Sequence, residues 1–307
     1  MRLALGTTLA MFVLSCASPQ ESAFHWPDAR KNGIVLVNAN QDLAAYVRNH
    51  PDWFSEGEAV LDLSVLNRAD RKQAERERIQ ITDLLRSKGM AAGTYTSGTT
   101  AEPLANVKLW PFDKVPAEWL PKEFKTVGSW PGAPERKIMN VADPQSRHAL
   151  QEGIRRIWRD SPAPIRFVDN AASHSSTGGT ETWQAYCANI REIRMIGESM
   201  GSRLVFNVSV HPALLSDDDA SQLVEAVGRG NGILLEDPWG AGIRKSADLT
   251  KQQQARYRQL LGERIAIVML PVNMPPDVLM NWVRTWRQPS DHLYLGWAFF
   301  KKPPDLK

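Results

Sequence analysis

Ile165-Arg166-Phe167-Val168-Asp169-Asn170 is the stretch on which the fold turns. A nearly continuous β-branched and aromatic run ends abruptly on a carboxylate and an amide. Runs of this kind and length are what parallel strands look like when both of their faces are covered. Moving outward, the pattern recurs. Leu204-Val205-Phe206-Asn207-Val208 and Gly232-Ile233-Leu234-Leu235-Glu236 are again short and apolar, with polar residues toward their C-terminal ends. Between them lie longer runs with helical spacing. Asp143-Pro144 reads as a cap with proline in the first turn, before a helix burying Leu150, Ile154, Ile157 and Trp158. Thr180 opens another, with Trp183, Tyr186, Ile190 and Ile193 on one face. Ser216, followed by Asp217, Asp218 and Asp219, reads as an N-cap with acids placed favourably for the helix dipole.

Extended to both ends, this reading gives eight strand candidates, at residues 34–37, 59–63, 90–95, 165–169, 204–208, 232–236, 265–270 and 293–299. Helical patterns fall between most of them: one at 71–88 ends before Gly89, and a last one opens at Pro275-Pro276-Asp277. Eight strands alternating with helices predict a single-domain (β/α)8 TIM barrel over residues 31–307. The alternative is a doubly wound open sheet, but no GxGxxG or phosphate-loop glycine pattern accompanies it, and no cofactor is expected. Residues 96–143 are too long for an ordinary connection, and predict an insertion after strand three. It holds Trp110, Trp119 and Trp130 and a further strand candidate at 137–141. Its tryptophans either wall a cleft or hold the insertion together.

The N-terminus reads as a targeting segment. Arg2 precedes an apolar run over residues 3–14, too short for an ordinary transmembrane helix. Val13-Leu14-Ser15-Cys16 resembles the lipobox of bacterial lipoproteins, giving a signal peptide at 1–15, lipidation at Cys16 and a tether over 16–30. The alternative is a plain signal peptide cut after Ala17. By the same sorting pattern, Ala17 in place of Asp points to the outer membrane. Cys187 is the one other cysteine, so no disulfide framework and no cysteine metal site is expected. The net charge of +3 argues against nucleic acid as a partner. Eleven tryptophans in 307 residues suit sugar stacking, although core packing accounts for most tryptophans.

In a TIM barrel, residues at the C-terminal ends of the strands converge on one site. That rule collects Asn38, Asp62, Ser64, Tyr95, Ser97, Asp169, Asn170, Asn207, Ser209, His211, Glu236, Asp237, Asn273 and Trp297. Asp169 and Glu236 stand out, because a carboxylate ending a buried apolar strand is costly unless it is paired or used. Each alone fits a helix cap or an ion pair. Together, on strands four and six, they fit glycoside hydrolysis. There one carboxylic acid protonates the leaving oxygen, and the other attacks carbon or activates water. Tyr95 is either a hydrogen-bonding partner at the site or a core tyrosine. Asn207 would orient a substituent of the sugar. Trp239 and Trp297 would floor a subsite, and His211 is either structural or substrate-facing. Asp62 either tunes the acid pair or bridges to an arginine such as Arg68. Asp237, before Pro238, either joins the site or caps a turn.

Phe167-Val168-Asp169-Asn170, Asn207-Val208-Ser209 and Leu234-Leu235-Glu236-Asp237 resemble the strand four, five and six signatures of glycoside hydrolase family 114, the endo-α-1,4-polygalactosaminidase-like group. Gly93-Thr94-Tyr95-Thr96-Ser97 is similar to its strand three, and Met139-Asn140-Val141-Ala142-Asp143-Pro144 to the stretch before its strand four. The resemblance implies a barrel glycosidase with Asp169 as nucleophile, Glu236 as acid/base and retained configuration. The chain departs from that pattern in two places. A second Asp usual after the first is replaced by Ala171-Ala172-Ser173, and an acidic strand-three loop is replaced by Gly98-Thr99-Thr100. Both departures bear on galactosaminide specificity more than on hydrolysis. Two rivals remain. One is an enolase-like metal barrel, which wants an acid where Asn207 and Ser209 stand. The other is a barrel lipoprotein that binds glycan without cutting it, beside an exopolysaccharide synthesis and export machinery.

Overall fold

The computed structural model describes Trp26 and residues 34–37, 60–62, 91–102, 115–116, 124–130, 133–160, 162–172, 180–208, 215–236, 266–270 and 293–298, with Lys122, Gln259 and part of 76–87. In chain order the elements begin with β1 (Ile34–Val37), β2 (Val60–Asp62), β3 (Ala91–Ser97), β4 (Thr100–Glu102), β5 (Val115–Pro116), β6 (Thr126–Trp130) and β7 (Ala133–Met139). Then come α1 (Pro144–Asp160), β8 (Ile165–Ala172), α2 (Thr180–Ser199), β9 (Arg203–Val208), α3 (Asp217–Val227), β10 (Gly232–Glu236), β11 (Ala266–Leu270) and β12 (Leu293–Ala298). Arg76, Ile79, Gln80, Asp83, Leu84, Arg86 and Ser87 are helical as well, inside the span predicted at 71–88.

The architecture is α/β with parallel strands. Eight strands pair side by side in the order β1-β12-β11-β10-β9-β8-β3-β2, and the ring closes between β1 and β2. The predicted strands at 34–37 and 232–236 have their expected bounds, and the other six agree to within a few residues. β8 runs on to Ala172, beyond the expected end at Asp169. β4 to β7 form a separate sheet in the order β5-β4-β7-β6. The strand expected at 137–141 is β7, which starts earlier and stops at Met139, because Val141 and Ala142 turn into the cap of α1.

Strand alternation sorts the core into two layers. Val168, Leu204, Phe206, Val208 and Ile233 pack with Leu150, Ile154, Trp158, Tyr186, Ile190, Ile193 and Leu223 of the helices in one cluster. Ile165, Phe167, Val205 and Leu234 are as deeply buried, at the alternate positions that face the barrel interior. Two of these helices are fixed at their N-termini by side chains. Asp143 Oδ2 accepts from the Ser146 amide at 3.0 Å and from Ser146 Oγ at 2.7 Å, while Lys125 Nζ donates to Oδ1 at 2.7 Å. These bonds hold the Asp143 carboxyl down at about 2, below its usual 3.8. Ser216 Oγ accepts from the Asp219 amide at 3.1 Å and caps α3. Gly228 ends α3 with φ 72°, a conformation that favours glycine.

Arg166 is 1% exposed, on the helix-facing side of β8. Its Nε donates to Ser202 Oγ at 2.9 Å, and its other nitrogens donate to Thr94 Oγ1 and the Trp158 carbonyl, each at 3.3 Å. The guanidinium lies 4.7 Å from the centroid of the Trp158 ring, a cation–π placement. Cys187 is buried in α2, and burial pushes its thiol up to about 12.

Candidate active site

Asp169 lies on β8 one residue after Val168, so its side chain takes the face opposite the helices. It is partly exposed, whereas every other residue of β8 is buried. Three N–H groups converge on its two oxygens. The Asn207 amide donates to Oδ1 at 2.7 Å, the Asn170 backbone N–H to Oδ1 at 2.9 Å, and the Asn170 side-chain amide to Oδ2 at 2.9 Å. Hydrogen bonds to a carboxylate are short and strong, and three of them fix its plane. Asn170 and Asn207 are themselves 5% and 2% exposed, so neither amide swings away freely.

The local backbone explains how the carboxylate reaches this position. β8 and β9 stay in register through Val168↔Phe206, and pairing next resumes at Ala172↔Val208. Four steps on β8 therefore match two on β9. This bulge turns the strand where Asp169 stands, and bulges re-aim side chains beside active sites. Asn170 absorbs the turn with φ 50°, a region that asparagine tolerates better than most residues. The other side is closed by the turn after β3. Ser97 pairs with Asp169, the Gly98 N–H donates to the Asp169 carbonyl at 2.6 Å, and Thr99 Oγ1 donates to the Asn170 carbonyl at 2.6 Å. A Cβ on Gly98 would stand 2.9 Å from Ala171 Cα, so this close approach requires glycine. The Gly98 carbonyl accepts from Asn189 Nδ2 of α2 at 3.0 Å. Asn189 Oδ1 accepts from Gln151 Nε2, which also donates to Glu192.

The expected site residues thus divide into three groups. Asp169, Asn170, Asn207 and Ser97 are brought together. Asp62 ends β2, Tyr95 pairs with Phe167, Glu236 ends β10 opposite Leu270, and Trp297 pairs with Leu36, so the backbone places these four on barrel strands. Glu236 lies two residues past Leu234, which pairs with Asn207. Cys16, His211, Asp237 and Trp239 lie outside the described residues, as do Asn38, Ser64, Ser209 and Asn273. Asn207, expected to meet substrate, donates one amide N–H to Asp169. Gly98 and Thr99 stood out in the sequence only as a departure from the family's acidic loop, and Asn189 was not expected at all. Asn189 carried a legible signal: a lone amide three residues after Tyr186, on the apolar stripe of its helix.

No protein-family model matches this chain, and no curated protein is similar to it in sequence. Solved structures are similar in fold. An Aspergillus fumigatus protein, Ega3, in complex with galactosamine superposes with a TM-score of 0.54 at 10% identity, over 92% of this chain and 96% of that one. An α-amylase from Malbranchea cinnamomea gives 0.51 at 11% identity, over 90% and 70%. A Paenibacillus cycloisomaltooligosaccharide glucanotransferase complexed with cycloisomaltoheptaose gives 0.50 at 12% identity, over 79% and 38%. These are TIM-barrel folds. Identity this low carries the fold to the present chain and nothing more. In that fold, the strand end bearing Asp169 is the end where active sites are built.

Proposed function

We propose that this chain is a glycoside hydrolase, a full (β/α)8 barrel whose site lies at the C-terminal ends of β3, β8, β9 and β10. The carrying observation is the partly exposed Asp169 carboxylate, gripped by three N–H donors at the end of an otherwise buried strand. The donors present the carboxylate as an oriented acceptor, which is what a nucleophile toward an anomeric carbon needs. Glu236, ending a strand two places along the barrel, supplies the second carboxyl group. In this reading Asp169 attacks the anomeric carbon while Glu236 protonates the leaving oxygen. Glu236 then takes a proton from the water that releases the sugar, with retained configuration. This requires the two carboxyl groups to stand about 5–5.5 Å apart.

The substrate we propose is an extracellular or envelope polysaccharide containing amino sugars. Two pointers support it. The strand motifs resemble the polygalactosaminidase-like family 114, and Ega3, similar in fold, was solved with galactosamine. The Cys16 lipid anchor, the outer-membrane location and the segment 96–143 as a barrel insertion belong to the same proposal. A second reading, glycan binding without cleavage, is favoured by one feature. The family's further acid is replaced within Ala171-Ala172-Ser173, of which Ala171 and Ala172 are both 0% exposed and packed into the core.

The test uses protein lacking residues 1–16, incubated with a panel of purified bacterial exopolysaccharides that includes amino-sugar polymers. New reducing ends are followed beside a Glu236→Gln control. Ends formed by the unaltered protein only would support the hydrolase and reveal its substrate class. Retention of a polymer in a pull-down without new ends would favour the binding reading.

A further inference from the structure

We propose that the end of the barrel opposite Asp169 is a membrane-facing surface that rests on anionic phospholipid headgroups. The proposal rests on the lipid-anchor reading of Cys16 and is independent of the chemistry at Asp169. This end is formed where each helix returns to the next strand: residues 162–164 before β8, 200–202 before β9 and 228–231 before β10. The chain from Cys16 meets the barrel here, because Trp26 Nε1 donates to the Gly230 carbonyl at 2.9 Å. Residues 17–25 separate the two positions. A tether of that length averages roughly 16–19 Å between its ends and reaches at most about 33–36 Å. It therefore holds the Gly230 end near the bilayer. Turning the barrel over would require a nearly taut tether, since the eight residues of β8 alone span about 26 Å.

The charge at this end suits that placement. In the described residues of the β8–β10 sector, Arg155 pairs with Glu152, and Arg194 lies 3.9 Å from Glu198. Arg159, Arg203 and Arg229 stand at this end as well, against Asp160. Arg156, Arg159 and Arg229 are exposed. The Arg203 guanidinium lies over the residue on which Trp26 docks: a Cβ on Gly230 would stand 3.0 Å from Arg203 Cζ. An indole beside arginines is a combination that seats at a bilayer interface, and basic side chains are drawn to anionic lipid. Seated this way, the barrel turns Asp169 away from the bilayer, toward polymer.

The test uses the full lipidated chain in phosphatidylcholine vesicles, with and without phosphatidylglycerol, and a fluorophore on a single introduced cysteine. Arg229→Cys labels the proposed surface, and Gln145→Cys, exposed in the first turn of α1, labels the mouth end. Cys187 is buried and leaves the labelling selective. Brominated lipid is expected to quench the label at 229 several-fold more than the label at 145, and phosphatidylglycerol should widen the gap. Arg159→Gln should weaken that phosphatidylglycerol response roughly five-fold. Equal quenching at both ends of a lipidated chain, or no response to phosphatidylglycerol, would overturn the surface. Mass spectrometry of the N-terminal peptide reports the anchor separately, and an unmodified Cys16 would overturn the proposal at its premise.

Discussion

Arg166 and Asp169 stand three residues apart on β8, and the odd spacing sends them to opposite faces of one strand. Arg166 turns to the helices and is sealed there. Ser202, Thr94 and the Trp158 carbonyl accept its hydrogen bonds, and the Trp158 ring covers its face. Asp169 turns the other way, stays partly exposed, and is held by amides that leave it facing the mouth of the barrel. Both are ionisable groups in a core strand with several hydrogen bonds each. Direction and access separate them: the arginine's contacts are consumed within the fold, while the carboxylate is positioned and left reachable. Two charges on one strand can thus differ entirely in role, one holding the wall and one presented to solvent.

The comparison is broken most sharply at Asp169. Asp169→Asn, and likewise Glu236→Gln, is expected to lower polysaccharide cleavage by roughly 10²–10⁴-fold, with little change in the unfolding midpoint. Reducing-end assays and denaturant titration check both halves. Arg166→Met should do the reverse. Losing bonds worth about 1.5–3 kcal/mol each to a charged group should lower denaturant stability by about 3 kcal/mol or more, with KM unchanged in the protein that remains folded. Arg166→Lys should rescue only part of this, because a point charge cannot replace a planar fork.

Asn207→Ala sharpens the comparison at its boundary. It removes the 2.7 Å bond to Asp169 and nothing of the carboxylate itself. The expected cost is about 1.5–3 kcal/mol in the transition state, read as a roughly 10–100-fold fall in kcat with a much smaller change in KM. An equal loss in kcat and in fold stability would place Asn207 with Arg166 rather than with Asp169.

The smallest effect concerns acid. The Asp143 carboxyl sits at about 2 in the folded chain against 3.8 ordinarily, held there first by Lys125 and then by Ser146. A depressed carboxyl contributes stability above its unfolded value and loses it as pH falls through the folded value. Asp143→Asn should therefore flatten part of the decline in stability between about pH 4 and pH 2, as followed by denaturant titration at each pH. Asp143 is a surface cap, and that change should leave cleavage near neutral pH untouched.

Much of this arrangement could be read before any coordinates. The strand at 232–236 and the capped starts of α1 and α3 follow from local signals: apolar runs, a proline in the first turn, a serine ahead of three acids. The bulge could not be read. A period of two tells which face a residue takes while pairing is regular, and Asn170, Ala171 and Ala172 look like a loop once Asp169 has ended the apolar run. They are strand because β3 and its turn supply partners seventy residues away in sequence, such as Thr99 for Asn170. The Gly98 requirement was hidden for the same reason, since only the approach of Ala171 makes a side chain there too large. The small sheet after β3 showed one of its four strands, because short strands with exposed faces, such as Thr126–Trp130, carry little apolar alternation.

The most direct test of the central claim is to trap the sugar on the protein. Once a cleaved polymer is known, an activated 5-fluoro glycoside of its repeating sugar would be incubated with the protein, and the labelled peptide identified by mass spectrometry. The account predicts one added sugar, bound through an ester to Asp169 and absent from Asp169→Asn. A sugar carried by any other residue, or cleavage that inverts the anomeric centre without a trapped intermediate, would contradict it.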